Sequence, residues 1–422
     1  MKRSILTTTL FALAFIIGFS ATMQAQILRN MSYYRAMDKT VLNVFESPKV
    51  EGEEFDGVRV RIGGSNTLQF QGLSQESNTP GYNEITPNFN LATSNLDIDV
   101  QLHRGVRMHL RTYLSSRHHP EPYVKGGYMQ VDRLDFISEG FMEEIMDKVT
   151  FKFGHMENNY GDAHFRRSDN GQAIFNPFVG NFLMDSFTTE VGGEIYYRTG
   201  PYMAMVSVTN GKLNQSTVKA APGAPVYKPV FIAKLGYDKQ YDEALRVRLT
   251  GSLYTTAESG TNYLYTGDRA GARYYNILNN ATTEFRNPRI NPGFNHEITA
   301  IMINPFVKYN GLEFFGIFET SSGKAVTEPE RRTFNQYAAE VLYRFGETED
   351  FYLGGRYNLV TGTTASRDEV EISRINVGGG WFMTKNILTK VEYVTQKYDG
   401  YTTGFFNGGK FSGFMLEAVI SF

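Results

Sequence analysis

The chain has 422 residues, a formal net charge of -2 at pH 7, 41 glycines, 14% aromatic residues and no cysteine. The near-neutral charge gives no reason to expect nucleic acid as a partner, and the lack of cysteine excludes both disulfides and a lipidated cysteine. The mean hydropathy of -0.33 would fit a soluble protein, but the high aromatic and glycine contents point elsewhere, as the strand pattern below explains.

The N-terminus predicts a cleaved secretory signal peptide over residues 1–25. Met1-Lys2-Arg3 is basic, residues 5–19 are mostly apolar, and small or polar residues follow up to Ala25. A transmembrane anchor, the alternative, needs about 20 apolar residues. Residues 26–56 are mixed in charge and lack a strand pattern, so they are predicted to form an N-terminal extension. Its placement, periplasmic or inside the following domain, stays open.

From residue 57 onward the chain alternates apolar and polar residues. Val58 and Val60 alternate with Arg59 and Arg61, and the same period of two runs on both sides of the short turn at 103–105. Such alternation on both arms of a tight turn predicts a strand hairpin, because successive side chains of a strand point to opposite faces. A membrane β-barrel hides its apolar face in alternate residues, which explains the polar average.

The alternating segments number sixteen, and their connections are predicted to alternate between short turns and long polar loops. Short periplasmic turns on one rim and long external loops on the other are the arrangement of outer-membrane barrels. The sequence therefore predicts an all-β protein, a 16-stranded antiparallel transmembrane β-barrel over residues 57–422. Nothing in this pattern requires a cofactor or a metal, and no catalytic residue is predicted.

The third external connection, residues 155–186, is the candidate constriction of the barrel. It is a long polar stretch without a period of two or 3.6 residues, and such loops are usually functional or disordered. Its aromatic, Asn, Asp and Gly residues favour an ordered loop folded into the lumen. Salt bridges that only hold the loop against the wall are an equally good reading. The predicted constriction residues are Glu157, Asp162, Arg166, Arg167, Asp169 and Asp185.

The polar alternates of the strands are predicted to face the lumen, since the apolar ones face lipid. Charged side chains lining a pore decide which ions pass. Both signs occur in similar number, so selectivity requires local clustering. The arginines could form a basic ladder for anions, or could pair with the aspartates across neighbouring strands. The predicted lumen residues are Arg59, Arg61, Asp97, Asp99, Arg107, Arg111, Arg246 and Arg248.

The C-terminal strand ends at Phe422, after apolar residues of one parity, and resembles the signal read by the machinery that inserts outer-membrane barrels. The strand number, the third loop and this ending resemble the trimeric porins. The segments NVFESP, GGSNTLQFQGL, FRRSDNGQ and NPFVGN resemble porins of Bacteroidota, and the nearest family is that of the phosphate-selective porins O and P.

This resemblance implies passive diffusion of small hydrophilic solutes or ions, with anions such as phosphate among the candidates, through a homotrimer in the outer membrane of a Gram-negative bacterium. The alternative is a barrel enzyme or adhesin that acts through its external loops, chiefly residues 258–295. His118, His119 and Glu121 could suggest a metal site, but a surface loop is the simpler reading.

Overall fold

The computed structural model describes residues 31–90, 92–115, 123–212, 217–218, 221–266, 271–282 and 284–422. The predicted signal peptide, and His118, His119 and Glu121, lie outside these described residues. Within them, no helix has the length and the apolar content that crossing a membrane would require.

The described residues form seventeen strands. They are β1 (Arg59–Glu76), β2 (Asn88–Phe89), β3 (Thr93–His103), β4 (Val106–Ser115), β5 (Tyr123–Val131), β6 (Val149–Glu157), β7 (Thr189–Thr199), β8 (Tyr202–Thr209), β9 (Val230–Gln240), β10 (Leu245–Thr256), β11 (Glu297–Tyr309), β12 (Leu312–Lys324), β13 (Arg332–Phe345), β14 (Phe351–Thr363), β15 (Glu369–Thr384), β16 (Ile387–Asp399) and β17 (Lys410–Ser421). β2 has only two residues, so sixteen strands remain as barrel staves.

Every stave pairs antiparallel with two neighbours, which closes the sheet. β1 makes the seam: its first half pairs with β3 and its second half with β17. Phe422 extends this seam, because its backbone exchanges two hydrogen bonds with Gly64, at 2.9 and 3.0 Å. The predicted 16-stranded antiparallel barrel is confirmed.

The two faces of each strand differ in polarity, as β13 shows. Tyr337 and Val341 point outward and are exposed, whereas Gln336 and Glu340 point into the barrel and are buried. A barrel in a lipid bilayer has an apolar outer face toward the lipid and a polar interior. Its backbone hydrogen bonds are satisfied between neighbouring strands, as the bilayer requires.

Among the connections that the structure describes, three depart from the predicted order. The external connections after β12 and β14, residues 325–331 and 364–368, are short, because these strands and their partners run further than the roughly 9–11 residues that a crossing needs. The periplasmic connection after β5 is long, and it contains the α-helix α1 (Glu143–Met146).

Aromatic side chains line the outer surface near the short-turn rim. Tyr343, Phe345, Phe351 and Trp381 stack in sequence, with ring centroids 6.3, 5.7 and 5.9 Å apart. Aromatic rings concentrate at membrane–water interfaces because they are apolar and polarisable at once. This row therefore marks the boundary of the apolar band on that side.

Candidate functional site

Three segments without strand structure occupy the interior of the barrel. We call them the N-terminal segment (residues 31–56), the third loop (158–188) and the fifth loop (the described residues of 257–296). The third loop is buried along almost its whole length. Its turns are fixed locally: a 3-10 helix spans Ala163–Arg166, and the Asn176 side chain accepts a hydrogen bond from the backbone N–H of Phe178 at 3.1 Å.

The third loop is anchored to the wall formed by β13 to β16. Lys390 donates to three backbone carbonyls of the loop, at 2.8, 2.9 and 3.1 Å. The side-chain oxygens of Asn358 and Gln336 accept from the backbone N–H groups of Leu183 and Met184, at 2.7 and 2.9 Å. Polar wall residues thus satisfy the backbone of an irregular segment that has no ladder of its own.

The N-terminal segment crosses the short-turn rim of the barrel. The backbone N–H of Lys39 donates to the carbonyl of Lys385, between β15 and β16, at 2.9 Å. On another part of the rim, Lys49 donates to the carbonyl of Met146 at 2.6 Å. The sequence left the placement of this segment open; the structure puts it in the mouth on the side of the short turns.

A buried cluster of four charges ties the N-terminal segment and the third loop to the wall. Asp162 of the loop contacts Arg248 at 2.8 Å and Lys234 at 2.6 Å, and Glu46 contacts the same two cations at 2.9 and 3.1 Å. Burial alone would raise the pKa of each carboxyl, but Arg248 and Lys234 outweigh it. The pKa of Glu46 is held well below its usual range, and that of Asp162 below its usual range.

Arg166 and Arg167 have different partners although they are adjacent. Arg166 contacts the wall carboxylates of Glu340 at 2.8 Å and Glu313 at 3.5 Å. Arg167 pairs within the loop with Asp185 at 2.6 Å. The first arginine therefore attaches the loop to the wall, and the second braces the loop itself.

The fifth loop also folds inward, where tyrosine and arginine side chains meet wall carboxylates. Tyr274 donates to Glu392 at 2.5 Å, and Arg273 contacts Glu417 at 2.8 Å. Both side chains are fully buried. The sequence placed this stretch outside as a possible binding surface, but its irregular residues find their hydrogen-bond partners inside the barrel.

A cavity of about 160 Å³ remains between the inner segments and the opposite wall, strands β3 to β7. Seven basic and four acidic residues line it. The basic residues are Arg35, Arg107, Arg111, Lys125, Lys152, Arg167 and Arg198. The acidic residues are Glu46, Asp99, Glu157 and Asp169. The cavity is therefore cationic, with aromatic rings between the charges.

Half of the predicted constriction residues line this cavity and half do not. Glu157, Arg167 and Asp169 are among its lining residues. Asp162, Arg166 and Asp185 are instead held in the ion pairs that fix the loop. Asp169 itself contacts Arg111 on the wall at 3.1 Å, as well as Lys125.

Among the predicted lumen residues, the arginines and aspartates of β3 and β4 pair with one another. Arg111 contacts Asp97 at 2.7 Å, and Arg107 contacts Asp99 at 3.5 Å. Arg61 lies 3.6 Å from Asp99. The pairing alternative is thus the arrangement observed, although Arg107, Arg111 and Asp99 still line the cavity.

The remaining predicted lumen residues bind the N-terminal segment or the residues that precede β1. Arg59 contacts Asp56 at 3.0 Å, and Arg246 donates to the backbone carbonyl of Asn43 at 2.7 Å while pairing with Asp238. Arg246, like Arg248, therefore holds the N-terminal segment against the wall, and Arg59 holds the end of that segment.

The sequence did not single out several cavity residues, above all Arg35 and Arg198. Arg35 lies in a segment without periodicity, so its direction could not be read. The only usable signal was the density of aromatic and charged residues in that extension, which is unusual for a linker. Among the described residues, no three His, Asp or Glu side chains are grouped as a metal site.

No protein-family model matches the chain, and no curated protein sequence matches it. Its fold does match solved structures. OmpT of Vibrio cholerae has 11% identity and a TM-score of 0.50, covering 88% of this chain and 99% of its own. An anion-selective porin from Comamonas acidovorans has 11% identity and a TM-score of 0.50, with 87% and 99% covered.

OprB of Pseudomonas putida, in a structure at high pH, has 9% identity and a TM-score of 0.51, covering 87% of this chain and 94% of its own. At such low identities the likeness establishes the fold alone. The chain is thus a sixteen-stranded β-barrel of the kind found in the outer membranes of Gram-negative bacteria.

Proposed function

We propose that the protein is a passive diffusion channel of the outer membrane for small hydrophilic solutes, with a preference for anions such as phosphate. The observation that carries this proposal is the cationic cavity between the inner segments and the wall of β3 to β7, where basic residues exceed acidic ones by seven to four. Charges that line a narrow passage set ion selectivity, because the surrounding protein screens them poorly.

The third loop narrows the passage in this proposal. The loop is attached to β13–β16 and, through Asp162, to β9 and β10. Its residues Arg167 and Asp169 line the cavity that remains against β3 to β7. The anion preference is expected to be moderate, because Arg107 and Arg111 are partly neutralised by Asp99 and Asp97.

We further propose that a signal peptide over residues 1–25 is cleaved and that the barrel-insertion machinery reads the strand ending at Phe422. As the resemblance implies, we also propose that the product is a homotrimer of Bacteroidota origin without enzymatic activity. N-terminal sequencing of the outer-membrane protein and cross-linking of the purified protein test the first and third of these points.

The test of the channel is conductance of the refolded protein in a planar bilayer, with the reversal potential measured across a KCl gradient. We expect stable conductance steps and a reversal potential of the sign that an anion-selective channel gives. Lys152→Gln should shift it toward cations, because Lys152 lines the cavity. The matched control is Lys410→Gln, whose side chain is 52% exposed. A closed bilayer from folded, heat-modifiable protein would contradict the proposal, as would cation selectivity.

A further inference from the structure

The side chain of Arg35 differs in its partners from the cavity-lining arginines of β4 and the third loop. Its Cζ lies 4.2 Å from the ring centroid of Phe175 and 5.7 Å from that of Phe165. Its Nε donates to the backbone carbonyl of Val44 at 2.5 Å. Its Nη2 is buried without a hydrogen-bond partner among the described residues, and no described carboxylate lies within ion-pair distance.

The other arginines of β4 and the third loop are neutralised. Arg107 has Asp99 and donates to Gln130 at 2.7 Å. Arg111 has two aspartates, and Arg167 has Asp185. A buried cation without a counter-charge is costly unless a ligand supplies one. Arg35 therefore brings to this cavity both a positive charge and an N–H group without a hydrogen-bond partner among the described residues.

The charge of Arg35 is retained at neutral pH. Burial lowers the pKa of this guanidinium to about 10, an effect to which Arg111 adds and which Glu157 and Glu46 oppose. The group is thus protonated in the cell, while its desolvation disfavours the charged form. An anion that accepts a hydrogen bond from Nη2 would relieve that penalty.

We propose that Arg35 binds a small oxyanion, a carboxylate or a phosphate, inside the cavity, so that the N-terminal segment supplies the residue that recognises the permeating anion. The planar guanidinium, clamped on Phe175, presents its free edge in one orientation, and such a fork matches the two oxygens of these groups. The cavity of about 160 Å³ holds several waters or one small oxyanion. This inference rests on the proposed channel function.

Isothermal titration of the detergent-folded full-length protein with phosphate, and separately with acetate, tests the site without requiring conduction. Wild-type protein should bind at least one of them, and Arg35→Gln should weaken that binding about tenfold or more, the usual worth of a charge-assisted hydrogen bond. Arg35→Lys keeps the charge but loses the forked geometry of the guanidinium. Its affinity for the anion should lie between those of the wild type and Arg35→Gln. The stronger ligand identifies which oxyanion the site prefers.

The matched control is Arg332→Gln. Arg332 is also stacked on a phenylalanine, Phe294, at 5.1 Å, but it pairs with Glu328 and does not line the cavity. The Arg332→Gln variant should bind phosphate and acetate as tightly as the wild-type protein does. All variants should keep the heat-modifiable gel mobility of a folded barrel.

Equal binding by wild type and Arg35→Gln would overturn the inference, as would no binding by wild type. A closed bilayer with binding that depends on Arg35 would overturn the channel and leave the anion site supported. Conduction with block by phosphate or acetate that Arg35→Gln abolishes would support both.

Discussion

Many of the individual charges inside this barrel have an opposite partner, although some buried ones, such as Arg374 and Glu190, have only neutral hydrogen-bond partners. The cluster of Asp162, Glu46, Lys234 and Arg248 illustrates the pairing with two acids and two bases. Breaking a buried pair by removing one partner costs about 3–5 kcal/mol, since the other charge stays desolvated. Such clusters hold segments in place strongly and fail sharply when one member is lost.

Asp162→Asn should loosen the third loop. The substitution leaves Lys234 with Glu46 alone and Arg248 with Glu46 and Asp238. The anchor should weaken by about 3–5 kcal/mol at most. We expect larger open-channel current noise and a higher mean conductance in planar bilayers. Glu330→Gln, at a carboxylate that is 78% exposed, serves as control. Unchanged noise and conductance in Asp162→Asn would show that this cluster does not hold the loop.

The same cluster predicts a dependence on pH. The pKa values of Glu46 and Asp162 are lower in the folded protein than in a released chain. The stability that these two carboxylates give to the anchored loop is therefore complete above the released-chain pKa values of about 4. It is lost as the pH falls through the lower pKa values of the folded protein. Current noise should be constant between about pH 7 and 5 and rise only below about pH 4. The Asp162→Asn variant should show high current noise at every pH. A rise of the wild-type current noise already at neutral pH would contradict this account.

At the level of elements, the N-terminal segment lies across the mouth on the short-turn side. It is held at separate points of the rim, by Lys385, Met146 and Arg246 among others. Deleting residues 26–56 behind an intact signal peptide should therefore widen the path. We expect a severalfold larger single-channel conductance and a smaller anion preference, because Arg35 is removed with the segment.

Two measurements make the deletion informative. Heat-modifiable mobility shows whether the barrel still folds, which we expect because the staves pair without the segment. Conductance and reversal potential equal to those of wild type would show that the segment does not narrow the path.

The elements also show how far a sequence can be read. Parity alone places Gln336 and Glu340 inside and Tyr337 and Val341 outside, because a strand has a fixed period of two. The inner segments have no period, and their partners are remote: Lys39, for example, donates to a carbonyl 309 residues away, that of Thr348. The inward fold of the third loop was predictable from its length and aromatic residues, whereas that of the fifth loop was not.

The whole molecule is asymmetric across its lumen. The third loop is fastened to β13–β16, and the cavity lies against β3–β7. In the described part of the chain, segments from both rims fill the lumen and meet at the cationic cavity. The external loops reach it from one side and the N-terminal segment from the other, so its properties depend on which rim faces the periplasm.

This orientation can be tested by cysteine labelling, for which a chain without native cysteine is well suited. Glu330 lies in the external connection 325–331, and Glu139 is exposed in the periplasmic connection 132–148. A membrane-impermeant maleimide should label Glu330→Cys on intact cells, and Glu139→Cys only after the outer membrane is permeabilised. The opposite pattern would invert the barrel and place the mouth that the N-terminal segment crosses on the cell surface. An anion would then meet that segment first, rather than the external loops.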